Sequence, residues 1–211
     1  MKQNNYETMR NQMRPYFLTF DQQEMIRKFN LDYDADYLYI RFCGRLYRIG
    51  KESGIVEWSE DGFATSNEGD YNESMTIYDV LCYSKPDCCL SGEFAPSSSL
   101  KGTVYTGMNA GNGMVSSRIG NFFNENMEKL ERACVSLGGI PEGKGDVAYR
   151  IPLFDFLPVR FSFWQADEDF PPEVKMLWDS NILSYMHYET IWFAAGHLLG
   201  QIEEIMREQI T

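Results

Sequence analysis

The sequence is poor in basic residues, and it lacks both a cysteine pair spaced for metal binding and an apolar N-terminal segment. Lys and Arg number 19 against 31 Asp and Glu, which gives a net charge of −12. This excess of negative charge disfavours attraction to phosphate backbones and to anionic lipids, so we expect no nucleic-acid partner and no membrane association. Because the first residues lack the apolar run of a secretory signal, we also expect a cytoplasmic protein.

The cysteines indicate neither a disulfide framework nor a metal cluster. They are an odd number without a Cys-x-x-Cys pair, namely Cys43, Cys82, Cys88, Cys89 and Cys134. This pattern favours free thiols in a reducing compartment over a four-thiolate zinc or iron-sulfur site. We therefore predict no metal site, and the sequence leaves the cofactor and the role of Cys88-Cys89 unassigned.

Two parts of the chain share one order of predicted elements, which is a helix, three short strands and a second helix. No helix separates successive strands within a part, so each reads as an antiparallel meander and the fold class is α+β. We predict a single domain over residues 1–211, with a first block at 21–83 and a second at 118–209. The second block ends in a long helix from about Asn181, which we expect to pack on the sheet. The predicted strands are 37–43, 45–49, 55–58, 147–154, 159–165 and 173–178.

The two blocks also share short residue patterns. Trp58 corresponds to Trp178, and Tyr39-Ile-Arg41 corresponds to Ala148-Tyr-Arg150. An internal duplication explains these echoes, and so does the general frequency of helix-meander-helix patterns. Both interpretations remain open from the sequence.

Residues 84–117 join the blocks and are rich in Ser, Gly, Pro and Asn. A segment of this length without periodicity is typical of a lid, a binding loop or a linker. It leads into an amphipathic helix that closes at Gly138, and Ser116, Ser117 and Arg118 stand at the helix start. Free N–H groups there can hold a phosphate or a carboxylate, and ordinary serine capping is the alternative.

Four short motifs carry a resemblance to a known family. They are Phe42-Cys-Gly-Arg-Leu-Tyr-Arg-Ile49, Leu90-Ser-Gly-Glu-Phe94, Leu157-Pro-Val159, and Asp167-Glu-Asp-Phe-Pro171 with Leu177-Trp-Asp179. With them, the chain resembles domain of unknown function family 3786, found in bacteria and archaea. The resemblance implies no established activity. Some relatives carry an iron-sulfur module, which implies a redox-related setting, but this chain lacks the clustered cysteines of that module.

The acidic turn at Asp167-Glu-Asp169 offers hard oxygen ligands. The EF-hand spacing and its glycine are missing, so the turn does not predict a calcium site. Asp167 remains a candidate catalytic carboxylate, and a solvated hairpin tip is the alternative.

The terminal helix is apolar on every face from Ile182 to Leu199, so we expect this first half of the helix to be buried on all sides and the second half to be amphipathic. The ionisable residues within the apolar half, apart from tyrosines, are His187, Glu189 and His197. A buried carboxylate must be paired or protonated, because isolating its charge costs several kcal/mol. We expect Glu189 either to join Tyr185 or an arginine such as Arg150 or Arg160, or to face a pocket with a raised pKa.

Three classes of function follow from these features. We favour a small-ligand or cofactor-binding or accessory protein, with a pocket between the two blocks. One alternative is an enzyme that uses Glu189 and His187 as acid and base, with Asp167 as a further candidate. Another is a protein-protein interaction subunit or homo-oligomer without a small-molecule site. The candidate ligand-binding residues are Ser116, Ser117, Arg118, Tyr185, Glu189 and His197.

Overall fold

The computed structural model describes residues 5–100 and 117–209, and for Ser117 it describes the backbone alone. The glycine-rich stretch before Ser117, and Ser116 with it, lie outside the described residues. The helices are α1 (Asn5–Phe17), α2 (Gln22–Phe29), α3 (Tyr71–Tyr83), α4 (Ser117–Asn124), α5 (Met127–Ser136) and α6 (Tyr188–Glu208).

The strands form one antiparallel sheet, in agreement with the predicted α+β class. They are β1 (Asp32–Tyr33), β2 (Tyr37–Phe42), β3 (Arg45–Gly50), β4 (Val56–Trp58), β5 (Asn67–Glu68), β6 (Phe94–Ala95), β7 (Ile140–Pro141), β8 (Val147–Phe154), β9 (Leu157–Trp164) and β10 (Glu173–Asp179). The sheet order is β5-β4-β3-β2-β8-β9-β10-β6, with β1 beside β2 and β7 beside β8.

The two predicted meanders meet at the centre of this sheet. Phe42 at the end of β2 pairs with Phe154 at the end of β8, and the Cys43 N–H donates to the Leu153 carbonyl at 2.8 Å. From this junction, β2-β3-β4 and β8-β9-β10 run outward in the same strand order. The blocks therefore merge into one sheet rather than pack face to face.

The register shows which residue echoes are equivalent. Trp58 pairs with Tyr47 on the neighbouring strand, and Trp178 pairs with Val159. Tyr47 and Val159 each lie five residues beyond the paired phenylalanines, so the two tryptophans occupy matching places. The predicted correspondence between Tyr39-Ile-Arg41 and Ala148-Tyr-Arg150 is wrong. Arg41 directly precedes Phe42, whereas Arg150 lies four residues before Phe154.

Helix α6 packs on the sheet and against α3 and α5, as expected of the C-terminal helix. It begins at Tyr188 rather than near Asn181, because residues 182–184 form one turn of 3-10 helix. Its core face carries Ile191, Ala194, Leu198 and Ile202 among others. The expectation of burial on all sides is wrong, since His187, Glu189 and Gly196 are exposed.

Two further boundaries differ from expectation. The predicted amphipathic helix before Gly138 is broken at Asn126, whose side-chain amide donates to the Phe122 carbonyl at 2.9 Å, so α4 and α5 are separate. Residues 84–100 of the connecting segment include regular structure, because β6 adds an edge strand beside β10. No helix within residues 5–100 and 117–209 combines the length and the apolar character needed to cross a membrane.

Candidate functional site

A cleft of about 650 Å³ lies where the two blocks meet, and we call it the interblock cleft. On one edge of β2, β1 pairs with residues up to Tyr39, and β8 joins only at Phe42. Ile40 and Arg41 therefore lie between the two partners on that edge. The hairpin after β8, Asp155-Phe156, closes the other side.

Three aromatic or aliphatic side chains form part of the inner surface of the cleft, which we call its floor, and charged residues form its rim. Half-buried Tyr39, Leu46 and Phe156 line its inside, and the ring of Phe156 stacks on Phe29 with centroids 4.2 Å apart. Four exposed residues surround the opening, namely Asn30, Asp32, Arg41 and Asp155. Charges of both signs thus border a cavity of mixed polar and apolar surface, which is large enough for a small molecule.

The rim charges are not neutralised by other side chains of residues 5–100 and 117–209. Among the described residues, Arg41 makes one long contact, 3.5 Å to the Gly44 carbonyl, and forms no ion pair. Arg45 and Arg48 of the adjacent strand do pair with carboxylates. The carboxylates of Asp32 and Asp155 likewise have no side-chain partner within the described part of the chain. The rim can therefore offer an unengaged guanidinium and two unengaged carboxylates to a ligand.

A buried polar network lies behind the β2–β3 hairpin. The Tyr47 hydroxyl donates to Glu73 Oε1 at 2.6 Å, and an Arg45 N–H donates to the same oxygen at 3.3 Å. The second oxygen of Glu73 accepts the Asp70 N–H at 2.6 Å, which completes a capping box at the start of α3. His197 Nε2 lies 3.3 Å from the Tyr47 hydroxyl. The network joins β3, α3 and α6.

Burial determines the protonation of this network. Burial and the adjacent Glu73 raise the pKa of Tyr47 far above its usual range, so the phenol stays protonated. Burial also lowers the pKa of His197 to about 4, with Arg45 acting in the same direction against Asp70 and Glu204. His197 is therefore neutral at pH 7. The protonated Tyr47 hydroxyl donates its hydrogen bond to Glu73. Its oxygen can therefore accept a hydrogen bond from His197.

A second opening, the tip groove, lies at the Cys43-Gly44 turn and has a volume of about 420 Å³. Arg45 lines it and stacks on the Trp58 ring, 3.8 Å from the ring centroid. Glu204 of α6 faces the same groove and lies 3.2 Å from Arg45. Arg41 and Leu46 border both openings, so the two are neighbours along one hairpin.

An aromatic row connects the buried network to the interblock cleft. His197 stacks on Phe42, Phe42 on Phe154, and Phe154 on Phe156, with centroids 4.6, 4.8 and 5.4 Å apart. Tyr185 continues the row at 6.3 Å from Phe156. Burial raises the pKa of Tyr185 to about 12. The predicted ligand residues His197 and Tyr185 thus support the cleft from behind, and their contact with a ligand stays a prediction.

His187 is the N-cap residue of α6 and is held by α3. Its Nδ1 lies 2.5 Å from Asp79 Oδ1, and its backbone N–H donates to Asp79 Oδ2 at 2.7 Å. The imidazole is 61% exposed whereas the Asp79 side chain is 10% exposed. The carboxylate fixes the ring through Nδ1 and ties α6 to α3. An acid-base role for His187 stays a prediction.

The premise of a buried Glu189 is wrong. This residue lies in the exposed first turn of α6, where a carboxylate interacts favourably with the helix dipole. Tyr185 precedes the helix, and the expected arginine partners are engaged elsewhere. Glu142 accepts from Arg150 Nε and from Arg160 Nε, each at 2.7 Å.

The remaining predicted residues lie apart from the cleft. Arg118 forms a bidentate pair with Glu203, at 2.8 and 3.0 Å, so its guanidinium does not face an empty anion site. Ser117 is the first residue of α4. Asp167 accepts the N–H groups of Asp169 and Phe170 at 2.9 and 2.8 Å, which makes it the turn residue of an exposed hairpin tip.

Two of the quoted family motifs contact each other. Asp179 is buried and accepts the N–H groups of Ser91, Gly92 and Asn181 at 2.9 to 3.0 Å. Burial alone would raise the pKa of Asp179, but these hydrogen bonds outweigh it and lower the pKa. The carboxylate thus fixes the Leu90–Phe94 segment against the end of β10.

Sequence reasoning missed the cleft rim and the network. Arg41, Arg45 and Tyr47 lie in or beside the Phe42–Ile49 motif, which we quoted only for the family resemblance. Asp70-Tyr-Asn-Glu73 has the capping-box form, and this signal could have placed Glu73 at a helix start. Asp32 and Asp155 carry no local signal, because only the tertiary fold brings them to one cleft.

Comparison with known proteins identifies a family but no characterised relative. A family model described as Domain of unknown function (DUF3786) matches residues 21–201. The matched range includes every residue of the interblock cleft. No curated protein and no solved structure matches the chain. Within the described ranges, His, Cys, Asp and Glu side chains form no group of three or more that could hold a metal ion.

Proposed function

We propose that this protein, which belongs to the DUF3786 family, binds a small molecule in the interblock cleft. The observation that carries the proposal is the set of unengaged charges of Arg41, Asp32 and Asp155, which border one cleft whose floor includes Tyr39, Leu46 and Phe156. Specific small-molecule sites combine an apolar cavity with a few polar groups that fix orientation. The accessory, redox-linked setting implied by the family resemblance is part of this proposal, without a cofactor assigned.

The buried network supports this function by keeping the cleft preformed. Arg41 and Leu46 pair across the β2–β3 hairpin, and Tyr47 anchors that hairpin to α3 and α6. A ligand that enters a rigid cavity loses less free energy to ordering the protein. We therefore assign Glu73, Tyr47 and His197 a positioning role rather than contact with the ligand.

The test is a thermal-shift screen of the full chain against small molecules grouped by charge, with hits confirmed by calorimetric titration. Leu46→Trp fills the floor of the cleft. Leu177→Trp is the matched control, since Leu177 is a half-buried leucine of the same sheet that does not line the cleft. We expect a hit to raise the melting temperature of the parent and of Leu177→Trp, but not of Leu46→Trp.

Because Leu46 borders both openings, a charge-reversal pair assigns the site. Asp155→Lys changes the rim of the interblock cleft alone, and Glu60→Lys changes the rim of the tip groove alone. We expect Asp155→Lys to weaken binding and Glu60→Lys to leave it unchanged. The opposite result would move the site to the tip groove, and a screen without any hit would favour the interaction-subunit alternative.

A further inference from the structure

We propose that the ligand class of the interblock cleft is a small zwitterion with an apolar body, of the kind that apolar α-amino acids represent. This inference rests on the proposed function and specifies its chemistry. It follows from the signs and the placement of the rim charges rather than from the volume of the cavity.

Arg41 is the anion-binding element. A guanidinium presents a planar fork of donors that matches a carboxylate in two parallel hydrogen bonds. The single 3.5 Å contact of Arg41 leaves that fork available, in contrast to Arg45, which lies between Glu73 and Glu204. A ligand carboxylate over Arg41 would replace water at an exposed cation without breaking an existing ion pair.

Asp32 and Asp155 are the ammonium-binding elements. They come from different blocks, Asp32 from β1 and Asp155 from the hairpin after β8, and both border the same opening as Arg41. The rim therefore has one positive and two negative charges. A purely anionic ligand would be repelled by the aspartates, and a purely cationic one would be repelled by Arg41 and leave its guanidinium without a partner.

The floor selects the body of the ligand. Tyr39, Leu46 and Phe156 present one aliphatic and two aromatic surfaces. The Tyr39 hydroxyl donates its hydrogen bond to Asp34 at 2.6 Å, so that donor is already used. Apolar side chains gain free energy by leaving water for such a surface. A zwitterion with an aliphatic or aromatic side chain satisfies the rim and the floor together.

The test compares each of leucine, methionine and phenylalanine with its decarboxylated amine and its deaminated acid, by calorimetric titration. Each missing charge removes a charge-assisted hydrogen bond, so we expect the amino acid to bind about tenfold or more tightly than either analogue. Arg41→Met should abolish the preference for the amino acid over the amine. The double substitution Asp32→Asn with Asp155→Asn should abolish its preference over the acid. All these positions are exposed, which allows folding to be checked independently by melting temperature.

The possible results separate the two claims. If a screening hit of another charge class binds and is lost in Leu46→Trp, the cleft function stands and the zwitterion class is wrong. If amino acids bind equally well to the parent and to Leu46→Trp, both the location and the class are wrong. Equal affinity for an amino acid and both of its analogues would overturn the assignment of Arg41 and the aspartates.

Discussion

Removal of the Glu73 side chain should destabilise the protein more than loss of any half-exposed ion pair. Glu73 is 5% exposed and accepts from Tyr47, Arg45 and the Asp70 N–H. Glu73→Ala leaves the Arg45 charge without its buried partner and removes the capping box. Breaking a buried pair costs about 3–5 kcal/mol, which for a chain of this size lowers the melting temperature by about 6–20 °C.

The assay is urea unfolding followed by tryptophan fluorescence, since Trp178 is fully buried and reports the folded core. Glu57→Ala is the matched control, because Glu57 pairs with Arg48 at 2.8 Å in the same meander but is 25% exposed. We expect the control to lose about 1 kcal/mol or less. Tyr47→Phe should fall between the two, at about 1–2 kcal/mol. A Glu73→Ala loss no larger than that of Glu57→Ala would refute the positioning role of the network.

Three further predictions concern other parts of the chain. Burial lowers the pKa of His197 in the folded protein to about 4, below its ordinary value of 6.5. The stability that the neutral imidazole supports is therefore fully present above pH 6.5, and about 3 kcal/mol of the free energy of unfolding is lost as the pH falls to 4. In His197→Asn, the free energy of unfolding from urea titrations should depend less on pH between these values. Asp179→Asn should cost about 2–4 kcal/mol and increase hydrogen exchange at Gly92, because an amide group cannot accept all the hydrogen bonds of the carboxylate; unchanged exchange would contradict this. Glu189→Gln should change stability by about 0.5 kcal/mol or less, because the residue is exposed; a larger loss in thermal melts would restore the buried-network interpretation.

The sequence was sufficient to predict most of the sheet. Leu38, Ile40 and Phe42 alternate with more exposed residues along β2, as a strand with one core-facing side requires. Gly44 has φ +78 and completes the two-residue turn into β3, which only a residue tolerant of the left-handed region does easily. These are local signals, so the strand bounds agreed with expectation within about two residues.

Long-range pairing was beyond sequence reasoning. Nothing local indicates that Phe42 pairs with Phe154, and this junction, with the Cys43–Leu153 hydrogen bond beside it, joins the two blocks into one sheet. The exposed side of α6 could not be predicted from its apolar sequence, because residues as small as Gly196 and Gly200 can face either solvent or a neighbouring element. Glu189 was chosen for its position in that run, whereas the buried acids among the described residues are Glu73 and Asp79 in α3 and Asp179 at the end of β10.

The most direct test of the ligand cleft is a titration of amide-labelled protein with the best-binding screening hit, followed by NMR chemical shifts. We predict that the perturbed amides cluster at residues 30–32, 40–41 and 155–156, which come together only at the interblock cleft. Shifts that cluster instead around Glu60 and Glu208 would place the ligand in the tip groove. Shifts confined to the surroundings of Arg118 would contradict the account altogether.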